Sequence, residues 1–226
     1  MSLFSQELSS YESLMVLDGG SGPGLLTEAL RTTNPNHTYV NLDLSLSMAR
    51  YARVAGPTIV GDLHKMPVRS GTMDVLILRQ VLHYCSPLAA VLGEARRVLR
   101  RDGRLLIGQF VPANRAEQGW MDPILAIRQP LRTNYFSIED WTDTLAKAGF
   151  KLVRSTRIGV KESLNSWLRR YPILLEDEAA VRRAFEQRDR RLRYPQIWSR
   201  GCEIFFKNWF ALLVFAPCGQ SSATTS

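Results

Sequence analysis

Short apolar runs alternate with stretches of helical periodicity along most of this chain. Ser13 to Gly19 (SLMVLDG) is an apolar run ending in glycines, Gly24 to Thr32 reads as a helix, and Thr38 to Leu44 (TYVNLDL) as a second strand. Ser45 to Ala55 predicts the next helix and Thr58 to Gly61 a third strand. Met73 to Leu78 (MDVLIL) is almost continuously apolar, the pattern of a strand covered on both faces. Leu88, Val91, Leu92, Ala95, Val98 and Leu99 then fall on one side of a helix. Arg101-Asp102-Gly103 ends that helix, and Arg104 to Val111 begins the next strand. Ser137 and Asp140 have the spacing of a capping box, and Phe136 can staple to Trp141, so a helix starts there and stops at Gly149. Lys151 to Ile158 predicts a strand; Lys207 to Ala216 predicts the last one, antiparallel because no crossover clearly precedes it.

Alternation of this kind requires parallel strands with helices on both faces, since each crossover returns over the sheet with the same hand. The expectation is an α/β fold: a doubly wound, mostly parallel seven-stranded sheet with an antiparallel last strand. A chain of 226 residues, 45% of them hydrophobic, can bury one sizeable core, so a single domain is expected over residues 1–220, with the repeating unit in 13–111 and a disordered Ser/Thr tail at 221–226. Residues 112–135 and 160–201 exceed an ordinary crossover. Both follow strand carboxyl ends, where open sheets bind ligands, and are therefore candidate substrate caps.

Composition narrows the classes. No apolar run is long enough for a membrane span, and the Trp209 to Ala216 run reads as a buried strand. The N-terminus lacks the basic start, apolar stretch and cleavage site of a secretory signal, which points to the cytoplasm. Cys85, Cys202 and Cys218 lie far apart in an odd set, which suggests free thiols rather than disulfides or zinc ligands. Residues 151–207 hold 14 Lys/Arg against 7 Asp/Glu, most of the chain's formal +8. Nucleic acid could be drawn to that excess, but a solvated helix face accounts for it equally well.

The chemistry concentrates in Val16-Leu17-Asp18-Gly19-Gly20-Ser21-Gly22-Pro23-Gly24, a strand, a glycine-rich turn and a helix start. Glycine is needed where the backbone takes positive φ or lies against a ligand. A dinucleotide fingerprint would require glycine at position 25, which is Leu25. Asp43, at the end of the following strand, can accept hydrogen bonds from both ribose hydroxyls; alternatively it caps the next helix.

VLDGGSGPG, NLDLSLSMARYAR, GDLHKMPVRSGTMDVLILRQVLHYCSP and EARRVLRRDGRLLIGQF, in this order, resemble successive motifs of the class I S-adenosylmethionine-dependent methyltransferases. The likeness is greatest to the branch that contains the ubiquinone/menaquinone-biosynthesis enzymes, and it covers about residues 14–111. It implies a Rossmann-like methyltransferase fold, with 13–111 as the cofactor-binding core and S-adenosylmethionine as cofactor. By this resemblance Asp18 lies near the cofactor's amino-acid end, and Gly20, Gly22 and Gly24 let the backbone approach. Asp43 binds the ribose and Leu44 flanks the adenine. Asp62 accepts from the adenine amino group, while Leu63 gives a backbone contact and packs on the ring. Gln80 lies near the methionine moiety. His83 lies near the methyl group, as a general base or as a residue that shapes the pocket.

Family members carry a few dozen residues ahead of the first motif; here the first strand begins near Ser13. The resemblance therefore implies a roof built by the two inserted segments, a more open site, or cover from a partner such as a second copy in a homodimer. Trp120, Tyr135, Trp167 and Trp198 are the candidate substrate-binding aromatics, against the alternative that they fill core space. His37 and His64 fall on loops, and no His/Asp/Glu spacing suggests a metal. The expected activity is methyl transfer to oxygen, nitrogen or carbon of a small-molecule acceptor, in secondary-metabolite or quinone-like biosynthesis. RNA methylation is the second reading, opposed by the lack of an RNA-binding module or an Asn-Pro-Pro-Tyr motif. A non-catalytic cofactor-binding or partner-binding subunit is the third.

Overall fold

The computed structural model describes residues 2–170, 173–188 and 196–218; the tail at 221–226 lies outside them. A helix, α1 (Leu3–Leu8), is capped by the Ser2 side chain and precedes β1 (Met15–Gly19). The repeating unit then follows as α2 (Leu25–Thr33), β2 (Thr38–Asp43), α3 (Leu46–Ala52), β3 (Thr58–Val60) and β4 (Met73–Arg79). A single 3-10 turn (Leu82–Tyr84) leads to α4 (Leu88–Val98) and β5 (Leu99–Val111). Beyond these come α5 (Arg115–Arg128), α6 (Ile138–Lys147), β6 (Phe150–Ser163), α7 (Leu164–Arg169) and α8 (Leu175–Glu186). The last elements are β7 (Ile197–Arg200) and β8 (Glu203–Pro217).

The sheet runs β3-β2-β1-β4-β5-β8-β6, with β7 paired to β8. Pairings β1/β2, β1/β4, β2/β3 and β4/β5 are parallel, whereas β7 and β8 are antiparallel. The α/β class, the parallel sheet and the antiparallel end are as expected, but the described residues form eight strands rather than seven. The extra strand is β7, a four-residue piece inside the segment read as an insertion, and Gly201 at φ +61° turns it back into β8. The Arg101-Asp102-Gly103 turn also sits differently. Leu99 already pairs with Met73, and Arg104 pairs with Val75, so the turn is an irregularity within β5.

The chain divides into two compact units: residues 1–109, 142–156 and 212–226, and residues 110–141 and 157–211. In the first, β4 buries Val75 through Leu78, and α4 buries Val91, Leu92, Ala95 and Val98 as its periodicity predicts. Burying each of the Val, Leu and Ile side chains contributes about 1.5–3 kcal/mol before entropy is counted. In the second unit, α5, α7 and α8 surround a core of their own that includes Met121, Ile124, Leu125, Leu164, Val181 and Phe185. The capping box forms as expected: the Ser137 N–H donates to Asp140 Oδ2 at 2.9 Å, and the Asp140 N–H donates to Ser137 Oγ at 3.1 Å. Phe136 staples edge-on to Trp141 with ring centroids 5.0 Å apart.

Glu117 in α5 is buried, and its Oε2 accepts the Ala113 N–H at 3.2 Å. Burial raises its carboxyl from 4.5 to about 7, opposed by that hydrogen bond and by the Arg157 charge. The folded chain therefore keeps a proton that the unfolded chain gives up above about 4.5. Its contribution to stability is full below that pH, falls as pH rises towards 7, and is flat above. Glu117→Gln keeps an oxygen for Ala113 and removes the ionisation. At pH 8 it is expected to add about 1 kcal/mol, a gain of about 2–4 °C in melting temperature, with little gain at pH 4.5. Melting curves across this range check it; an equal shift at both pH values would mean that ionisation of Glu117 is not the cause.

Candidate active site

In the sheet order, the chain proceeds from β1 outward through β2 to β3, then returns to the other side of β1 with β4 and β5. That reversal is a topological switch point, where the loops after β1 and β4 diverge and leave a crevice at the carboxyl edge. The β1 loop is Gly20 to Gly24, and the β4 loop is Gln80 to Tyr84; both belong to the first unit.

Three glycines in the β1 loop take positive φ, each with different surroundings. A Cβ on Gly20 would lie 2.5 Å from Val81 Cγ2, so this glycine lets the two loops touch. A Cβ on Gly24 would lie 3.0 Å from Ala52 Cα, so this one packs α2 against the end of α3. Of these three, only Gly22, at φ +56°, has no atom of the described residues within 4 Å of its would-be Cβ, so it faces open space. Beside it, Ser21 Oγ is buried with no hydrogen-bond partner among the described residues. Carbonyl Leu42 O accepts both the Gly20 N–H at 2.7 Å and the Ser21 N–H at 3.1 Å, fixing the loop on the end of β2.

Asp43 ends β2, and its two oxygens take different partners. Oδ2 accepts the Gly22 N–H at 2.7 Å, and Oδ1 accepts the Ser45 N–H at 2.8 Å. The ribose role and the helix-start role are thus compatible, because each carboxylate oxygen keeps a second lone pair. Asp18 is fully buried, and Thr27 Oγ1 donates to it at 3.1 Å. Burial pushes its carboxyl up to about 6, offset by the Thr27 hydrogen bond and the Arg79 charge. Asp62 is exposed, and its Oδ1 accepts from the His64 backbone N–H at 2.8 Å and contacts the His64 ring Nδ1 at 2.7 Å. The backbone hydrogen bond from His64 is the main cause of its lowered carboxyl pKa. Leu63 is buried against Gly19, and Leu44 is 71% exposed at the loop rim.

On the β4 side, Gln80 holds a left-handed φ of +54°, a conformation costly for a non-glycine residue and concentrated at functional sites. The Gln80 N–H donates to Gly108 O at 2.8 Å, extending the β4/β5 pairing by one step. His83, in the 3-10 turn, is 2% exposed, and its Nδ1 lies 3.0 Å from Oε1 of Gln109 near the end of β5.

Residues 17–107 match the family model described as a methyltransferase domain, a span that includes the β1 loop, Asp43, Asp62, Gln80 and His83. This stretch is similar to methyltransferase domains. The chain is 33% identical over 103 residues to a malonyl-[acyl-carrier protein] O-methyltransferase of Legionella pneumophila, a match covering 43% of this chain and 36% of that protein. It is 34% identical over 102 residues to a demethylmenaquinone methyltransferase of Thermotoga maritima, covering 44% of each. The chain thus spans well under two thirds of these relatives. Among solved structures, a candidate methyltransferase of Bacillus halodurans superposes with a TM-score of 0.84 at 18% identity, over 96% of this chain and 98% of that one, a likeness of fold.

The sequence-predicted cofactor residues Asp18, Gly20, Gly22, Gly24, Asp43 and Gln80 therefore gather on two neighbouring loops and strand ends of the matched stretch. The aromatics lie elsewhere, in the second unit. Tyr135 and Trp167 are buried in its core and Trp120 packs against that core edge-on to Phe185, whereas Trp198 is 39% exposed and stacks on Phe205. Two further residues of the first unit with buried polar side-chain atoms, Ser21 and Gln109, are not among the sequence-predicted ones. Ser21 could have been read from its place inside the glycine loop; Gln109 carries no local signal. Among the described residues no group of three or more His, Cys, Asp or Glu side chains could hold a metal, and no helix is long and apolar enough to cross a membrane.

Proposed function

We propose that the protein is an enzyme that transfers a methyl group from S-adenosylmethionine to oxygen, nitrogen or carbon of a small-molecule acceptor. The observation that carries this reading is the cradle in the matched domain, where Gly22 faces open space beside the unpartnered Ser21 hydroxyl and the Asp43 carboxylate. S-adenosylmethionine fits such a cradle in chemistry: its ribose hydroxyls are donors for Asp43, and its amino-acid group is polar enough to engage Ser21 and the Asp18 region. Leu44 and Leu63 offer apolar faces for the adenine, Asp62 an acceptor for its amino group, and Gln80 a polar side chain for the methionine end.

The cofactor brings an already activated sulfonium methyl, so the protein's work is alignment. His83 would take the proton that an oxygen, nitrogen or carbon acceptor gives up as its electron pair attacks the methyl carbon, and the cofactor would supply that methyl and keep the C–S bonding pair on sulfur. Acceptor recognition is assigned to residues 112–135 and 160–201, beyond the matched domain, with Trp120, Tyr135, Trp167 and Trp198 as its aromatics. Two relatives named for methylating malonyl-[acyl-carrier protein] and demethylmenaquinone support a metabolite-type acceptor. Three free cysteines fit a reducing compartment such as the cytoplasm.

S-adenosylhomocysteine and S-adenosylmethionine are expected to raise the melting temperature by several degrees at about 100 times Kd, where binding adds about 2.7 kcal/mol. NAD is expected to leave it unchanged, since Leu25 stands at the third position of the dinucleotide fingerprint. Stabilisation by NAD with no response to S-adenosylhomocysteine overturns the assignment. Turnover to S-adenosylhomocysteine with pooled metabolites then tests catalysis, and turnover that depends on added RNA would move the acceptor class to nucleic acid.

A further inference from the structure

We infer that Gln109 is a positioning residue for the reaction, selecting the ring tautomer of His83 so that Nε2 is the basic nitrogen. The inference rests on the reading of His83 as the proton acceptor. Both side chains are almost completely buried, at 2% exposure for His83 and 1% for Gln109. Gln109 Oε1 lies 3.0 Å from His83 Nδ1. An amide oxygen can only accept, so a hydrogen bond there requires the proton on Nδ1. In a neutral imidazole the other nitrogen then carries the lone pair, which is the state a general base needs before it acts.

The backbone fixes this pair. Gly108 pairs with Arg79 in the β4/β5 register and accepts the Gln80 N–H, which places Gln109 one step further along β5, beside the turn that carries His83. The Gln109 amide nitrogen is buried and has no hydrogen-bond partner among the described residues. Leaving such a donor unpaired is costly, and an apolar residue would pack there without that penalty. Satisfying the buried His83 N–H accounts for an acceptor at this position but not for an amide nitrogen left without a partner among the described residues. Orienting the histidine with Oε1 and presenting the amide N–H₂ to an acceptor oxygen explains both.

The test uses the 226-residue chain labelled with ¹⁵N-histidine, which has three histidines to assign, with His83→Ala identifying the His83 signals. Two-bond ¹H–¹⁵N spectra of the unmodified protein are expected to show His83 as the Nδ1–H tautomer. Gln109→Met removes the acceptor and is expected to shift His83 to a mixture or to the Nε2–H form. Gln109→Glu retains an acceptor, is expected to restore the Nδ1–H form, and should displace the His83 titration to higher pH by adding a negative charge. In turnover, Gln109→Met is expected to lower kcat about tenfold with S-adenosylhomocysteine affinity unchanged, and Gln109→Glu to recover part of that loss with a shifted pH profile. An Nε2–H signal in the unmodified protein, or an unchanged tautomer in Gln109→Met, overturns the inference. The spectra decide it even if no acceptor is turned over, whereas failure to bind S-adenosylhomocysteine would instead sink the methyl-transfer reading.

Discussion

Asp43→Ala is expected to weaken S-adenosylhomocysteine binding by about 1.5–3 kcal/mol, roughly 10- to 150-fold in Kd. Two losses combine. The carboxylate's free lone pairs are the acceptors offered to the ribose hydroxyls, and charge-assisted hydrogen bonds are stronger than neutral ones. The same carboxylate also holds the Gly22 N–H at 2.7 Å, so its removal releases the one glycine of the loop that faces open space. Asp43→Asn separates the effects, because one amide oxygen can hold either the Gly22 or the Ser45 N–H but the amide nitrogen cannot accept. An intermediate loss for Asn is therefore expected. Calorimetric titration measures both variants; an affinity unchanged in Asp43→Ala would mean that the end of β2 does not touch the cofactor.

The first unit was legible because each of its elements has one dominant signal. The near-continuous apolar run of β4 marks burial on both faces, and the Leu88 to Val98 periodicity marks one packed helix face. The loop after β1 was legible as a loop, but the reason for each glycine was not. Gly20 and Gly24 are explained by Val81 and Ala52, residues 61 and 28 positions away in sequence, and no local pattern announces such contacts. Gln109 is hidden for the same reason, as its partner arrives from the turn after another strand. Most of the second unit lies in residues 112–135 and 160–201, which do not fit the repeating strand–helix unit and exceed an ordinary crossover in length. Pro123 stands inside α5, a place where proline normally ends a helix, and β7 is only four residues long. Its aromatic residues looked alike in sequence, yet burial separates them, with Trp167 in the core and Trp198 at the surface.

That separation gives the two tryptophans different expected consequences. Trp167 packs edge-on against Phe206 with ring centroids 5.3 Å apart, and the Arg128 guanidinium lies 3.9 Å above its ring. Arg128 is itself buried and donates to the Trp167 carbonyl oxygen at 2.5 Å. Trp167→Ala thus opens a large cavity and strips a buried cation of its aromatic face, for an expected loss of about 3–5 kcal/mol. Hydrogen exchange should show lost protection in α5, α7 and α8, all within the second unit. Protection in β1 and β4 should persist, with S-adenosylhomocysteine affinity within about twofold and turnover abolished, if the second unit supplies acceptor contacts and the first binds cofactor alone. Collapse of affinity together with protection would show the two units to unfold as one cooperative body. Trp198→Ala provides the contrast, because its half-exposed ring stacks on Phe205 and its loss is expected to cost under about 1 kcal/mol. A fall in turnover without a fall in stability would then mark Trp198 as an acceptor contact, and unchanged turnover would confine it to the surface of β7.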